Sequence, residues 1–249
     1  MITMKLTVLG YWGAYPHKHE GTTSYLLESD GFKLLLDAGS TTFVTLCDHL
    51  DPIELDAVIL SHYHHDHTAD LGVLQYYRQL VPTQTPLPIL PIYGHTDDEQ
   101  HYAELDFPSV SKAVPYFEAE DLKIGPFTVT FMKTIHPVPC YAMRFVENAT
   151  GKVFVFTGDS GYLESFIDFA HDADLFLADT YLFAGNEHHH AHFTAKESGE
   201  IAKAANVKKL VLTHLPQQGD LEELRQQAVA AAEEQMPVIL AKKDLVLEI

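Results

Sequence analysis

A chain of 249 residues, 46% hydrophobic and 20% charged, has the composition of a globular protein with room for one large domain or two small ones. No apolar run approaches the ~18 residues of a membrane-spanning helix, and two cysteines, Cys47 and Cys140, exclude a disulfide framework or a cysteine metal motif. A formal charge of −19 argues against a broad basic surface for gripping long nucleic acid. The N-terminus enters a strand pattern directly, with no cleavable signal, so the cytoplasm is the expected location.

In chain order, apolar runs predict strands over residues 6–9, 24–27, 33–36 and 57–60. The last of these, Ala57-Val58-Ile59-Leu60, leads into Ser61-His62-Tyr63-His64-His65-Asp66-His67. Leu71, Leu74 and Tyr77 then keep helical spacing across residues 68–77. Residues 81–88 carry Pro82, Pro86 and Pro88 and read as an internal connection. Further strands are expected over 127–132, 142–147, 153–156, 174–178, 210–212, 238–240 and 245–247, with a hairpin turn at 148–151. Helices are expected over 195–206 and 221–235, the second stopped by Met236-Pro237. Hairpins early, then helices alternating with strands, predict an α/β fold: a four-layer αββα sandwich of two mixed sheets with helices on both outer faces. One domain over residues 1–249 is the expected organisation.

Four histidines and an aspartate within seven residues, at the end of a core strand and before a helix, occupy the place where α/β proteins put their chemistry. A catalytic zinc takes three or more protein donors, so further ligands must come from elsewhere. His136, Asp159 and His214 share one context, a polar residue just after a predicted strand. Singly, each reads as a structural histidine or a capping aspartate; together with the opening cluster they read as a metal site.

His62-Tyr63-His64-His65-Asp66-His67 matches the HxHxDH signature, and the chain resembles the metallo-β-lactamase superfamily over essentially its whole length. The resemblance implies that His62, His64 and His136 hold one ion and Asp66, His67 and His214 another, with Asp159 bridging both. Asp37, in Leu34-Leu35-Leu36-Asp37-Ala38-Gly39-Ser40, falls where that family keeps an aspartate supporting the metal loops. The implied cofactors are two divalent ions, zinc first, with manganese or iron as alternatives. Two ions about 3.5–4 Å apart lower the pKa of a shared water towards neutrality, which supplies a hydroxide nucleophile. Asp66 thereby counts among the catalytic residues as well. His65 occupies a variable position, expected to face solvent or to lie behind the ligands. Oxygen-reducing diiron relatives place a glutamate where His64 stands, which favours hydrolysis here.

The segment His192-Phe193-Thr194-Ala195 at a predicted helix start resembles ribonuclease Z and related phosphodiesterases. That resemblance assigns His192 to the leaving oxygen or to charge on the phosphate, and Asp179 to orienting it. The chain also departs from ribonuclease Z. Residues 137–158 hold a strand pair and its turn but no long basic arm, and residues 10–21 place Tyr11, Trp12, Tyr15, His17 and His19 where the family has an arginine-containing loop. The expected function is a dinuclear metal-dependent hydrolase, a phosphodiesterase acting on a small-molecule or short phosphodiester. Long nucleic acid and membrane are not expected partners, and a homodimer is left open. Alternatives are a hydrolase of lactone, thioester or β-lactam carbonyls, a tRNA 3′-processing endoribonuclease, and a non-catalytic metal-binding interaction protein. His188-His189-His190 reads as a solvated loop tip, and Trp12 and Tyr15 as pocket wall or core.

Overall fold

The computed structural model describes residues 3–249. The chain runs through β1 (Lys5–Trp12), β2 (Gly21–Thr22), β3 (Ser24–Ser29), β4 (Phe32–Leu36), α1 (Thr42–Cys47), β5 (Ala57–Ile59), α2 (His65–Thr68), α3 (Leu71–Leu80), β6 (Leu90–His95), α4 (Glu99–Glu104) and β7 (Ser111–Tyr116). A second series follows: β8 (Leu122–Ile124), β9 (Phe127–Lys133), β10 (Tyr141–Glu147), β11 (Val153–Phe156), α5 (Ser165–Phe169), β12 (Leu175–Asp179), α6 (Ala195–Ala204), β13 (Leu210–Thr213), α7 (Leu221–Ala231) and β14 (Val238–Leu240). Finally β15 (Val246–Glu248) returns to pair antiparallel with β1.

The two sheets repeat one plan. In the first, ordered β15-β1-β3-β4-β5-β6-β7 with β2 beside β1, antiparallel hairpins give way to the parallel strands β4, β5, β6 and β7. In the second, ordered β14-β13-β12-β11-β10-β9-β8, the antiparallel meander β8–β11 gives way to the parallel strands β11, β12, β13 and β14. Two mixed sheets with helices outside are the fold expected from the pattern of elements.

The period-2 geometry of strands explains why the apolar runs are continuous rather than alternating. Leu6, Val8, Tyr25, Leu27, Leu34, Leu36 and Ile59 face the second sheet and share its core. Their neighbours Leu9, Leu26, Leu35 and Val58 point the other way, against Leu46 of α1 and Leu71 and Leu74 of α3. Both faces of the first sheet are thus buried, and α5, α6 and α7 cover the second sheet through Phe166, Ile201, Ala202, Leu224 and Ala228. No helix among the described residues is long and apolar enough to cross a membrane.

The sheets meet at one edge. Tyr25 Oη lies 2.6 Å from Thr213 Oγ1, Tyr141 N–H donates to Ser61 O at 3.1 Å, and Leu215 N–H donates to Tyr11 O at 2.9 Å. Because β4 and β5 run parallel in one sheet and β11, β12 and β13 in the other, each set delivers its carboxyl ends side by side. Open α/β sheets carry their ligands there.

Several elements differ from the sequence-based expectation. Strands β6, β7 and β8 and helices α1, α4 and α5 fall in stretches where none was expected, and β1 extends three residues past the apolar run to Trp12. The helix expected over 68–77 is instead a single turn, α2, followed by α3, which continues to Leu80; α6 and α7 end at Ala204 and Ala231, short of the expected limits.

Candidate metal centre

The five-residue step from Ser61 to Asp66 is set by the end of β5. Leu60 N–H still donates to Tyr93 O at 3.0 Å, so the chain leaves the sheet only at Ser61. Helix α2 then begins at His65, and Asp66 and His67 fall in its single turn. His62 and His67 are fully buried, and His65 is exposed, as its position in the signature suggested. His136 follows β9, Asp159 follows β11, and His214 follows β13, each just beyond a strand end. Gly158 makes the turn into Asp159 at φ 59°, where a Cβ would lie 2.9 Å from Cys140 Sγ. Asp37 after β4 and His214 after β13 both adopt left-handed backbone at φ 55° and 51°, a conformation that costs a non-glycine residue energy and concentrates at functional sites.

These side chains converge in two groups sharing Asp159. His62 Nε2 and His136 Nε2 each lie 3.1 Å from His64 Nδ1, and both are 3.8 Å from Asp159 Oδ2. In the second group His214 Nε2 is 3.2 Å from Asp66 Oδ2 and 3.3 Å from Asp159 Oδ2. His67 Nε2 is 3.7 Å from Asp66 Oδ2 and 3.3 Å from Asp159 Oδ1. Ligand atoms around a tetrahedral zinc with bonds of about 2.0–2.1 Å stand about 3.3 Å apart, so both sets have the spacing of a coordination sphere. His67 Nε2 and both carboxylate oxygens of Asp159 are buried with no hydrogen-bond partner. Buried polar groups are almost always paired, and orphans that point at one another across a common centre fit divalent cations. A third set, Asp159, Asp179, His192 and His214, is also close enough to share an ion. Its Asp179 and His192 atoms are already engaged with each other, as follows.

The second ring nitrogens of His62, His67 and His136 have neighbours of their own, which fixes which nitrogen is left with a free lone pair. His67 Nδ1–H donates to Asp37 Oδ2 at 2.7 Å. The same carboxylate accepts Ser61 N–H at 2.7 Å and Ser61 Oγ–H at 2.8 Å. Ser61 Oγ in turn lies 3.1 Å from His62 Nδ1, and His136 Nδ1–H donates to Ala191 O at 3.1 Å. Asp179 Oδ2 accepts from His192 Nδ1–H at 2.9 Å, while its Oδ1 stands 3.4 Å from His214 Nδ1. Asp37 from the first sheet and Asp179 from the second thus stand behind His67 and His214 of the same group.

Charge divides the groups. Burial, with the neighbouring imidazoles, holds His62 well below the ordinary histidine range, and burial lowers His64 and His136 as well. Burial acts the same way on His67 and His214, but the surrounding carboxylates outweigh it. Asp159, Asp66 and Asp37 hold His67 well above its usual range, and Asp159 with Asp179 and Asp66 pushes His214 up to about 10. Asp66 and Asp159 are held low, against burial, by those same imidazoles.

His192 sits at the mouth of this cleft, its side chain 17% exposed and its ring 5.5 Å from His136 and 5.1 Å from His214. Helix α6 places it: Thr194 and Glu197 form a reciprocal capping box, Thr194 N–H donating to Glu197 Oε2 at 2.9 Å and Glu197 N–H to Thr194 Oγ1 at 3.2 Å. Such a cap stabilises a helix start by about 1 kcal/mol. Against burial, Asp179 raises the pKa of His192. The cleft is about 340 Å³, lined by Ala14, Pro137 and Ala191 besides the polar residues, with no lysine or arginine.

All nine residues singled out in the sequence therefore lie around one cleft. Trp12 is core, 3% exposed, whereas Tyr15 is 50% exposed. The histidine run is only partly a solvated tip: His188 and His190 are exposed, but His189 is half-buried with its ring 6.1 Å from His192. Three neighbours of the site went unnoticed: Ser61, Tyr181, whose ring lies 5.1 Å from His192 and 5.7 Å from His214, and Gln217, whose Nε2 donates to the carbonyls of Gly13 and Tyr15 on either side of the cleft-lining Ala14. Ser61 opens the histidine stretch and was findable; the other two have no local signal.

Comparison with known proteins supplies the family. The β-lactamase superfamily domain matches residues 33–215. YhfI of Bacillus subtilis (strain 168), a probable metallo-hydrolase, is 42% identical over 227 residues, covering 90% of this chain and 92% of that one. Its crystal structure superposes with a TM-score of 0.93 over 99% of this chain and 100% of YhfI, at 40% identity. A ribonuclease Z of Thermobifida fusca (strain YX) is 28% identical over 301 aligned positions, covering 97% of this chain and 93% of that protein. A diphosphatase of the PhnP family, 20% identical, shares the fold with a TM-score of 0.77 over 100% of this chain and 98% of its own. The chain belongs to the metallo-β-lactamase superfamily, among the metallo-hydrolases of its ribonuclease Z-like branch.

Proposed function

We propose that this protein is a dinuclear metal-dependent phosphodiesterase acting on small phosphodiesters. His62, His64 and His136 would hold one ion, Asp66, His67 and His214 the other, and Asp159 both. Bound there, two divalent ions supply an activated water as nucleophile and neutralise charge on the substrate.

The observation that carries the reading is His192. Its Nδ1–H is committed to Asp179, which raises its pKa and leaves Nε2 to carry a proton into the cleft. Cleavage at phosphorus leaves charge on the departing oxygen, and a positioned imidazolium donates the proton it needs. With no lysine or arginine lining the cleft, and with His67 and His214 given over to metal, His192 is the cationic side chain left for that charge. A ribonuclease and a diphosphatase stand among the similar proteins, so substrates that react at phosphorus have precedent on this scaffold.

Small size is supported by the −19 charge and by the chain between His136 and Asp159, which is taken up by β10, its turn and β11. The alignment with the ribonuclease Z is longer than this chain, so that relative carries insertions absent here.

His192→Ala tests the reading. Turnover of a diester with a poor leaving group should fall by roughly two orders of magnitude or more, and the loss should shrink for a nitrophenolate leaving group that needs little protonation. Metal content should stay at the wild-type value. Loss of metal would make His192 a ligand, and an unchanged rate on the poor leaving group would move a carbonyl substrate ahead.

A further inference from the structure

Beside the metal cleft lies a second groove of about 460 Å³, lined by residues of α2, α3 and α4. His65 belongs to the lining of both, so the two are neighbours across the single turn of α2. Tyr63, Leu71 and Leu105 supply the groove with apolar surface. Gly72 leaves its part of the α3 wall bare, since a Cβ there would meet nothing within 4 Å. Its φ is not left-handed either, so neither backbone nor packing calls for glycine at that position.

The polar lining is rich in acceptors. Gln75 is 7% exposed, and its amide is fixed from behind. Ser111 Oγ–H donates to Leu105 O at 2.8 Å, so the hydroxyl has lone pairs to offer and accepts from Gln75 Nε2 at 3.0 Å. Nε2 also approaches Leu105 O, at 3.4 Å. Flipping the amide would set oxygen against that carbonyl. Gln75 Oε1 is therefore held as the free end, and it has no partner among the described residues. Buried polar atoms are rarely left so. His101 Nδ1–H donates to Asp98 Oδ2 at 2.7 Å, which leaves its Nε2 a lone pair. Glu104, also in the lining, is exposed and forms no ion pair among the described residues. No lysine or arginine lines the groove. A carboxylate, an amide oxygen and an imidazole lone pair together call for a cation with several N–H donors and no acceptor, which describes a primary ammonium group.

We propose that this groove is a second binding site, for a small molecule carrying a primary ammonium group on an apolar body. Gln75 Oε1 and the Glu104 carboxylate receive the ammonium, and Tyr63, Leu71 and Leu105 cover the body. The inference stands apart from the phosphodiesterase reading, because it uses none of the proposed metal ligands and nothing of His192.

Three probes of one shape separate the claims: phenethylamine, phenethyl alcohol and phenylpropionate, titrated at neutral pH and constant ionic strength into isotope-labelled, metal-loaded protein. In amide NMR spectra, residues 68–75 and 101–105 should shift saturably with the amine, more weakly with the alcohol and not with the carboxylate. Gln75→Met keeps the side-chain length and should weaken amine binding roughly 10- to 150-fold, the span of a hydrogen bond to a charged group. Glu104→Gln should weaken it by up to about 5-fold, as for an exposed ion pair. Gly72→Leu fills the groove at a position with open space and should abolish the saturable shift in a protein that stays folded. An amine shift that survives Gly72→Leu would place the amine elsewhere on this acidic chain and overturn the site. Alcohol binding as tight as amine binding would overturn the ammonium assignment, and so would unchanged amine affinity in both Gln75→Met and Glu104→Gln. No saturable shift with any probe would overturn the proposal whole.

Discussion

On one side of Asp159, three imidazoles bring their nitrogens as close as 3.1 Å, and burial lowers their pKa; on the other, His67 and His214 face carboxylates that raise theirs. The first side is a set of lone pairs already free for an ion. The second sets imidazoles against carboxylates, where positive charge is favoured. Both are buried, so the difference lies in the donor chemistry. Neutral donors can be crowded together at modest cost, whereas two buried carboxylates need positive charge nearby at all times. The raised pKa values of His67 and His214 mark where that charge is favoured.

The largest effect should come from the residue both sides share. Asp159→Ala should lower bound metal on both sides, measured by elemental analysis, and reduce turnover by on the order of 10³-fold or more. A variant that still binds two ions would break the comparison at its hinge. Asp37→Asn should sharpen it. The carboxylate accepts three hydrogen bonds, from His67, from Ser61 N and from Ser61 Oγ, and an amide would turn a donor towards one of them. His67 would then lose its fixed orientation, and metal affinity on the carboxylate side should fall about 10- to 100-fold while the three-imidazole side keeps its own. Competition with a chelator of known affinity reads both steps.

The same division decides what the sequence shows. Four of the seven proposed ligands come from one turn after β5, so their spacing alone exposes them. His136, Asp159 and His214 follow three alternate strands of the second sheet, β9, β11 and β13, and are brought together only by folding; each becomes readable through its position just past an apolar run. Gln217 and Tyr181 have no such mark, because their contacts are with backbone and rings distant in the chain. In the fold, β6 and β7 were hidden by Pro91 and Pro115, residues that argue against central strands. Pro91 precedes the register that β6 shares with β5, which begins at Val58–Ile92, and Pro115 lies on the edge strand β7. Helix α1, Thr42-Phe43-Val44-Thr45-Leu46-Cys47, is rich in β-branched residues of low helical propensity and is held by tertiary packing of Leu46.

The account's central claim, two unlike metal positions joined by Asp159, is tested most directly by calorimetric titration of zinc into chelator-stripped protein in buffers of different ionisation enthalpy. His67 and His214 have raised pKa values, so they hold protons through the neutral range and must release them before their lone pairs are available. Affinity on that side should therefore rise with pH, up to about tenfold per unit for each proton displaced, until the pH passes about 10 for His214. His62, His64 and His136 have lowered values and no protons to release there, so binding among them should depend on neither buffer nor pH across the same range. The predicted result is two ions per chain, one step independent of buffer and one that releases protons. A single ion per chain, or two steps with equal proton release, would contradict it.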